Sequence, residues 1–445
     1  MVEPNWVWAM IQVVVLTGLC LSGLHVFVAI GATAVIFSIL FIGDISQMTA
    51  LMGGIIWNRS IEYGLTMLPL FILMGAWVDA SGVGKDAYDA AVRWLVRLKG
   101  SLAIVSMIAL ALFGAVSGST AAGIATIGSL GLPEMRRYGY AAELRTGCLA
   151  AGGMLVALIP PSTIMILYSV LTDESVGKML IAGIIPGLIL LGLLCIVIYI
   201  WVTLRPQDAP KLPSEVRFTW LEKFASLRLI GPIAVIFLIL IGGIFMGWFS
   251  PTEAAAVGAF TVLVICLAYR RMNWQSFKGG LIGAARTTAM ILIMITGAFI
   301  IASNFAMTQV SPILSAWVER AGLGYVALAY AYIVVQILVG IPLDALPMLV
   351  IFMPIFYPAF KAMPNAPEMV GIWFGIMNVI LVCLAGLTPP IAAPLYLTQM
   401  IDGCPTSKVM IGVIPFYLCS VSLMVLLVHL PFLATWLPSL MIGGG

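Results

Sequence analysis

The chain has 445 residues, of which 62% are hydrophobic and 9% charged, against about 25% charged in an ordinary soluble protein. With a mean hydropathy of +1.14, this composition excludes a water-soluble enzyme and a disordered scaffold. A net charge of +3, spread along the chain, offers no basic surface to nucleic acid.

What remains is an all-α polytopic membrane protein. A hydrocarbon core of about 30 Å takes about 20 helical residues, and the apolar residues do not alternate as in a β-barrel. The first residues, Met1-Val-Glu3-Pro-Asn-Trp6, include an acid and no basic stretch, so no cleaved signal peptide is expected. In chain order, apolar runs at 7–24, 26–43, 65–80, 146–171, 179–203, 229–248, 253–269, 287–306, 369–400 and 409–430 predict ten crossings. Two further runs, 101–133 and 325–360, are broken at mid-run by Gly, Ser, Pro or Asp. A break at bilayer depth is tolerated only where backbone faces protein or a watery cavity, so these runs predict re-entrant hairpins. With the N-terminus outside, the count leaves only Arg59, Lys178, Arg320 and Lys361 of the 21 basic residues on the outer side. The positive-inside rule therefore selects both termini outside.

Residues 84–99 place Ala87, Ala91, Trp94, Leu95 and Leu98 on one face and charges elsewhere, which predicts an interfacial amphipathic helix. Residues 271–285 look like a weaker version. The polar segment 205–228 carries three prolines and reads as a cytoplasmic linker between two halves, 1–204 and 229–445. Each half runs three spans, a hairpin and two spans, so five crossings invert the second half relative to the first. Leu155-Val-Ala-Leu158-Ile-Pro160-Pro161 matches Leu384-Ala-Gly-Leu387-Thr-Pro389-Pro390, and Gly183-Ile-Ile-Pro186 matches Gly412-Val-Ile-Pro415 at the same 25-residue interval. Inverted repeats with broken helices characterise secondary transporters, whose sites lie near the midplane. Exposed NH groups at a half-helix start suit an anion, and carbonyls at a half-helix end suit Na⁺.

The first hairpin breaks at Gly114-Ala-Val-Ser117-Gly118-Ser119-Thr120, with glycines to free the backbone and three hydroxyls as oxygen ligands. A simple GxxxG packing contact is the competing reading. Ser162 and Thr163 follow the Pro160-Pro161 break and add hydroxyls. The second hairpin breaks at Gly340-Ile-Pro342-Leu-Asp344. Asp344 is an acid deep in an apolar stretch, either a working group or a helix cap. Ser250-Pro251-Thr252-Glu253 reads as a capping box. His25 and His429 have no acid or Cys at ligand spacing, the seven cysteines show no paired spacing, and no phosphate-loop pattern is present.

The runs Met67-Leu-Pro69-Leu-Phe71-Ile-Leu-Met74-Gly75, Phe113-Gly-Ala-Val-Ser117-Gly118-Ser119 and Pro160-Pro161-Ser162 resemble the large membrane subunit of TRAP (tripartite ATP-independent periplasmic) transporters. Ser250-Pro251-Thr252-Glu253-Ala254 and Thr388-Pro389-Pro390 fit as well, over about residues 5–430. The resemblance implies an elevator-type, ion-transporter-like fold in the bacterial inner membrane. It also implies Na⁺-coupled symport of a small carboxylate-bearing organic anion such as a dicarboxylate. Carried over, one Na⁺ site would use Ser117, Gly118 and Ser119 with Ile159 and Pro160, and the other Gly340 with Gly386 and Thr388. The anion would lie among Ser119, Thr120, Ser162, Asp344 and Pro390. Ile391 and Ala392 stand where the first half has Ser162 and Thr163, so the two halves lack symmetric hydroxyls. The implied partners are a small four-helix membrane subunit, expected on a separate chain because no apolar block precedes residue 1, and a periplasmic substrate-binding protein. No cofactor is expected, and no metal other than Na⁺. Two other functions fit less well: a stand-alone Na⁺- or H⁺-coupled carrier of this architecture, and an intramembrane hydrolase using Ser117, for which no general base appears at matching depth.

Overall fold

The computed structural model describes residues 6–212, 218–340, 343, 345–363, 365–388 and 392–441, with only the backbone of Leu346. Among the described residues all regular structure is helical. The chain opens with α1 (Trp6–Leu21), α2 (Val26–Ile42), α3 (Ile45–Ser60), α4 (Met67–Ala80) and α5 (Val83–Leu95). A helical hairpin follows, α6 (Ser101–Ser117) and α7 (Thr120–Arg137), then α8 (Ala142–Leu158), α9 (Thr163–Thr172), α10 (Val176–Ala182) and α11 (Ile184–Leu204). After the central polar segment come α12 (Trp220–Phe237), a π-helical stretch Leu238–Gly242, the one-turn α13 (Gly243–Phe245), α14 (Pro251–Ala268), α15 (Trp274–Thr308) and α16 (Val310–Arg320). A second hairpin, α17 (Tyr325–Gly340) and α18 (Ala345–Lys361), leads to α19 (Val370–Ala385), α20 (Ala393–Asp402), α21 (Thr406–His429) and α22 (Phe432–Ser439).

The run 101–133 forms two contacting helices, α6 and α7, parted at Gly118-Ser119, and 325–360 forms α17 and α18, also in contact, with Ile341, Pro342 and Asp344 of its break outside the described residues. Among the described residues six helical segments are long and apolar enough to cross a bilayer, and α8 with α9, bent by 47° at their break, makes a seventh if the pair is one span. Of the other expected crossings, 7–24 and 26–43 appear as the shorter apolar helices α1 and α2, and 369–400 is divided into α19 and α20. Residues 271–285 do not form a separate surface helix. From Trp274 they are the first part of α15, which continues unbroken for 35 residues. Neither α3 nor α16 was foreseen. The expected amphipathic helix is α5, but it is buried more widely than one stripe, at Val83, Gly84, Asp86, Ala87, Tyr88, Ala90 and Ala91. It lies on the first hairpin, where a Cβ on Gly84 would stand 2.4 Å from the Thr126 methyl. The capping box at α14 is present: Glu253 N–H donates to Ser250 Oγ at 3.3 Å, and Ser250 N–H donates to Glu253 Oε2 at 2.8 Å. An equal box at Thr219 and Glu222 starts α12.

Two packing groups stand out. Helices α2 and α4 pack on α15 and α4 also on α14, while the hairpin α6–α7 packs on α8, with α20 against α7 and α21 against α8. Lipid gives helices no hydrophobic drive to associate, so close backbone approach at small residues matters. The tightest seam joins α8 to α21. A Cβ on Gly147 would stand 2.2 Å from the Gly412 carbonyl, and one on Gly412 would stand 2.0 Å from the Glu143 carbonyl. Backbone cannot yield as a side chain can, so Gly412→Val is expected to cost about 1–3 kcal/mol or more. A lower melting temperature of the purified chain would register it, and an unchanged one would refute the seam.

Ion pairs tie helix ends together. Asp402, at the end of α20, has a side chain with no exposure; it accepts from Arg145 Nε at 2.8 Å and lies 3.2 Å from Arg136 Nη2. Arg271 pairs with Asp86 and donates to the Ser81 carbonyl at 3.3 Å. The start of the central segment is held on the bundle, where Ala141 N–H donates to the Asp208 carbonyl at 2.8 Å and Trp201 Nε1 to the Asp208 carboxylate at 2.7 Å.

Candidate functional site

The first hairpin turns within two residues. α6 ends at Ser117, and Gly118 takes the left-handed conformation (φ 68°) and donates its N–H to the Gly114 carbonyl at 3.3 Å. Ser119 is exposed, and its side chain caps α7 by accepting from Ala122 N–H. This tip meets the break between α8 and α9. A Cβ on Gly118 would stand 2.6 Å from the Pro161 carbonyl oxygen, and Thr163 Oγ1 donates to the Gly118 carbonyl at 3.4 Å. At that break Ile159 is extended and follows the last residue of α8, the Pro160–Pro161 peptide is cis, and Ser162 caps α9. Ser117, Gly118, Ser119, Ile159 and Pro160 thus belong to two breaks that touch. The carbonyl ends of α6 and α8 face the same region, and those ends carry partial negative charge.

The described ends of α17 and α19 also approach each other closely. α17 ends at Gly340, where a Cβ would stand 2.6 Å from both the Ala385 Cβ and the Met348 Cε. α19 ends at Ala385 and continues into a turn through Gly386 and Leu387, and Thr388 Oγ1 donates back to the Leu384 carbonyl at 3.0 Å. Asp344 and Pro390 lie outside the described residues.

Between the two tips lies a cavity of about 240 Å³. Its wall includes Thr120, Ile164, Ala345 and Pro394. Each of these lies in the first two residues of its helix, respectively α7, α9, α18 and α20. Four half-helix N-termini therefore contribute their opening turns to one small space. Each carries about +0.5 of an elementary charge, although Pro394 has no N–H to offer and the Ser119 and Ser162 caps already take one N–H each at the starts of α7 and α9. Gly386 and Leu387 complete the wall from the α19 end. Among the described residues the lining is otherwise apolar, and Thr120 supplies a hydroxyl. Ser162 does not reach the wall: it is 1% exposed and accepts from Met165 N–H, capping α9.

Sequence reasoning passed over Asp79, near the end of α4, to which Ser117 Oγ donates at 3.2 Å. The signal was available, an acid one helical turn beyond Gly75 in a run otherwise apolar. No group of three or more His, Cys, Asp or Glu side chains suited to a metal ion occurs among the described residues. His429 bonds Tyr330 Oη at 2.9 Å instead.

A hairpin tip set against a broken helix beside a cavity lined by helix starts from both parts of the chain is an arrangement found in secondary transporters. Solved structures agree: the YdaH transporter of Alcanivorax borkumensis is similar with a TM-score of 0.59 at 15% identity, covering 86% of this chain and 89% of that one. A family model, "Tripartite ATP-independent periplasmic transporter, DctM component", matches residues 13–433. The chain belongs to that family and is the large membrane subunit of a TRAP transporter. It is 31% identical to the C4-dicarboxylate TRAP transporter large permease protein DctM of Pseudomonas aeruginosa over 86% of this chain and 88% of that one. It is 30% identical to the 2,3-diketo-L-gulonate TRAP transporter large permease protein YiaN of Escherichia coli over 84% and 86%. Membership of this family makes the chain a multi-pass membrane protein and a secondary transporter of organic acids that works with partner proteins.

Proposed function

We propose that the chain is the transport-domain-bearing subunit of a Na⁺-coupled importer of small carboxylate-bearing organic anions, dicarboxylates included. The observation that carries this reading is the convergence of four helix N-termini on one cavity wall. Four partial positive charges without a lysine or arginine attract a carboxylate and still release it, because no fixed full charge holds it. At the tips, the carbonyl ends of α6 with α8, and of α17 with α19, offer oxygens to Na⁺, near Ser117, Gly118, Ser119, Ile159 and Pro160 on one side and Gly340, Gly386 and Thr388 on the other. Asp344 and Pro390 would complete the anion site beside Ser119, Thr120 and the cap at Ser162. A cation at each tip offsets the negative substrate between them, and neither binds as well alone.

The two hairpins and the broken helices move as one body against the group containing α2, α4, α14 and α15, in an elevator step. The chain divides into inverted repeats, 1–204 and 229–445, joined by the cytoplasmic linker 205–228, with both termini periplasmic. Two partners complete the importer, a small four-helix membrane subunit and a periplasmic substrate-binding protein. Co-reconstituted with both in liposomes, the protein is expected to accumulate radiolabelled succinate or another C4-dicarboxylate under an inward Na⁺ gradient. Equal uptake with K⁺ in place of Na⁺ would sink the coupling, and equal uptake without the binding protein would favour a stand-alone carrier.

A further inference from the structure

The tip of the first hairpin is held by a helix outside its own bundle. α4 packs chiefly on α14 and α15, yet one of its faces touches Ser117 twice. A Cβ on Gly75 would stand 2.5 Å from the Ser117 carbonyl oxygen, so the two backbones approach as only glycine permits. One turn further along the same face, Ser117 Oγ donates to Asp79 Oδ1 at 3.2 Å. Ser117 is 6% exposed, whereas Asp79 is exposed, so the carboxylate keeps one side clear of protein at the end of a span, where a charge costs less than at its centre.

A serine hydroxyl has one proton and two lone pairs. With the proton committed to Asp79, both lone pairs turn away from α4 and are free for a cation. The acceptor is a carboxylate, which strengthens the hydrogen bond and makes the hydroxyl oxygen a better ligand, as carboxylates behind metal-bound side chains do. We propose that, while the first hairpin rests on α4 as it does here, Asp79 is the positioning residue of the first-hairpin cation site: it fixes the Ser117 hydroxyl as a lone-pair donor, and the contact opens when the hairpin moves. This inference rests on the Na⁺ reading above.

The test uses the purified full chain in detergent, its melting temperature followed as NaCl replaces KCl at constant ionic strength. Na⁺ binding to the native state raises the wild-type melting temperature. Asp79→Ala is expected to move the midpoint of that rise to about 10-fold higher Na⁺ or more. Asp79→Asn, which keeps an acceptor oxygen, should move it less. In a Ser117→Ala background, Asp79→Ala should add no further shift. A merely structural role would lower the melting temperature at every salt composition without moving the midpoint, and an unmoved midpoint overturns the inference. A wild-type melting temperature indifferent to Na⁺ removes the cation reading and this inference together, and it is visible before any variant is compared.

Discussion

Gly118→Val is expected to reduce Na⁺-driven uptake about 100-fold or more, since a displacement near 1 Å at a positioned site costs that much. The polypeptide should still insert in the membrane. Two effects act at this position. The backbone is left-handed at φ 68°, where a side chain costs about 1–2 kcal/mol. The added Cβ would also stand 2.6 Å from the Pro161 carbonyl oxygen, and a β-branched group cannot turn aside. Relief requires the tip to lift from the α8–α9 break, and that separates the carbonyl ends expected to share a cation. Gly231→Ala is the control: this α12 glycine has nothing within 4 Å of its would-be Cβ, so the change should leave uptake near wild type. Uptake by Gly118→Val above a tenth of wild type would show that the touching breaks are not the working geometry.

The second large effect concerns folding. Asp402→Ala strands Arg145, whose side chain is 12% exposed, and removes the partner of Arg136. Breaking a buried pair from one side costs about 3–5 kcal/mol, because the remaining charge stays in a poor solvent. The expected result is a sharp fall in melting temperature and in the amount of protein recovered from membranes. Replacing both partners, Asp402→Leu with Arg145→Met, should recover much of the loss, because two apolar groups of similar size leave no charge stranded. The Arg145 guanidinium also donates to the Tyr140 carbonyl at 2.6 Å, so recovery should be incomplete. An Asp402→Ala protein that melts like wild type would mean that the pair does not hold α7, α8 and α20 together.

The hairpins and the broken α8–α9 span were legible because Gly118, Ser119 and Pro160-Pro161 contradict an uninterrupted helix in lipid. The capping box at Ser250 was legible because it is local in sequence. What depends on distant segments was not. The Asp402–Arg145 pair spans 257 positions, and charges at run ends read equally well as solvated. The convergence of α7, α9, α18 and α20 needs four helix starts from both halves in one place, which no spacing encodes. At Ser162 the residue type suggested substrate contact but did not show that its hydroxyl caps α9. Asp79 was passed over because an acid at the end of a span is ordinary until its neighbour is known. α3 escaped because its weak apolar pattern lacks a clear stripe, and residues 271–285 misled because an amphipathic stretch can continue directly into a span.

That continuity in α15 fixes a length. Thirty-five residues rise roughly 52 Å, well over the roughly 30 Å of a typical hydrocarbon core. The part from Thr287 to Thr308 accounts for about 33 Å, and the preceding part, with Gln275, Lys278 and Arg286, carries the polar groups suited to the headgroup layer. A rigid rod of this kind acts as a gauge for the lipid beside it. Shorter or longer acyl chains must stretch, compress or tilt around it, at a cost of fractions of a kcal/mol per Å. Bilayer thickness is thereby expected to shift the tilt of α15 and of α2 and α4, which pack on it.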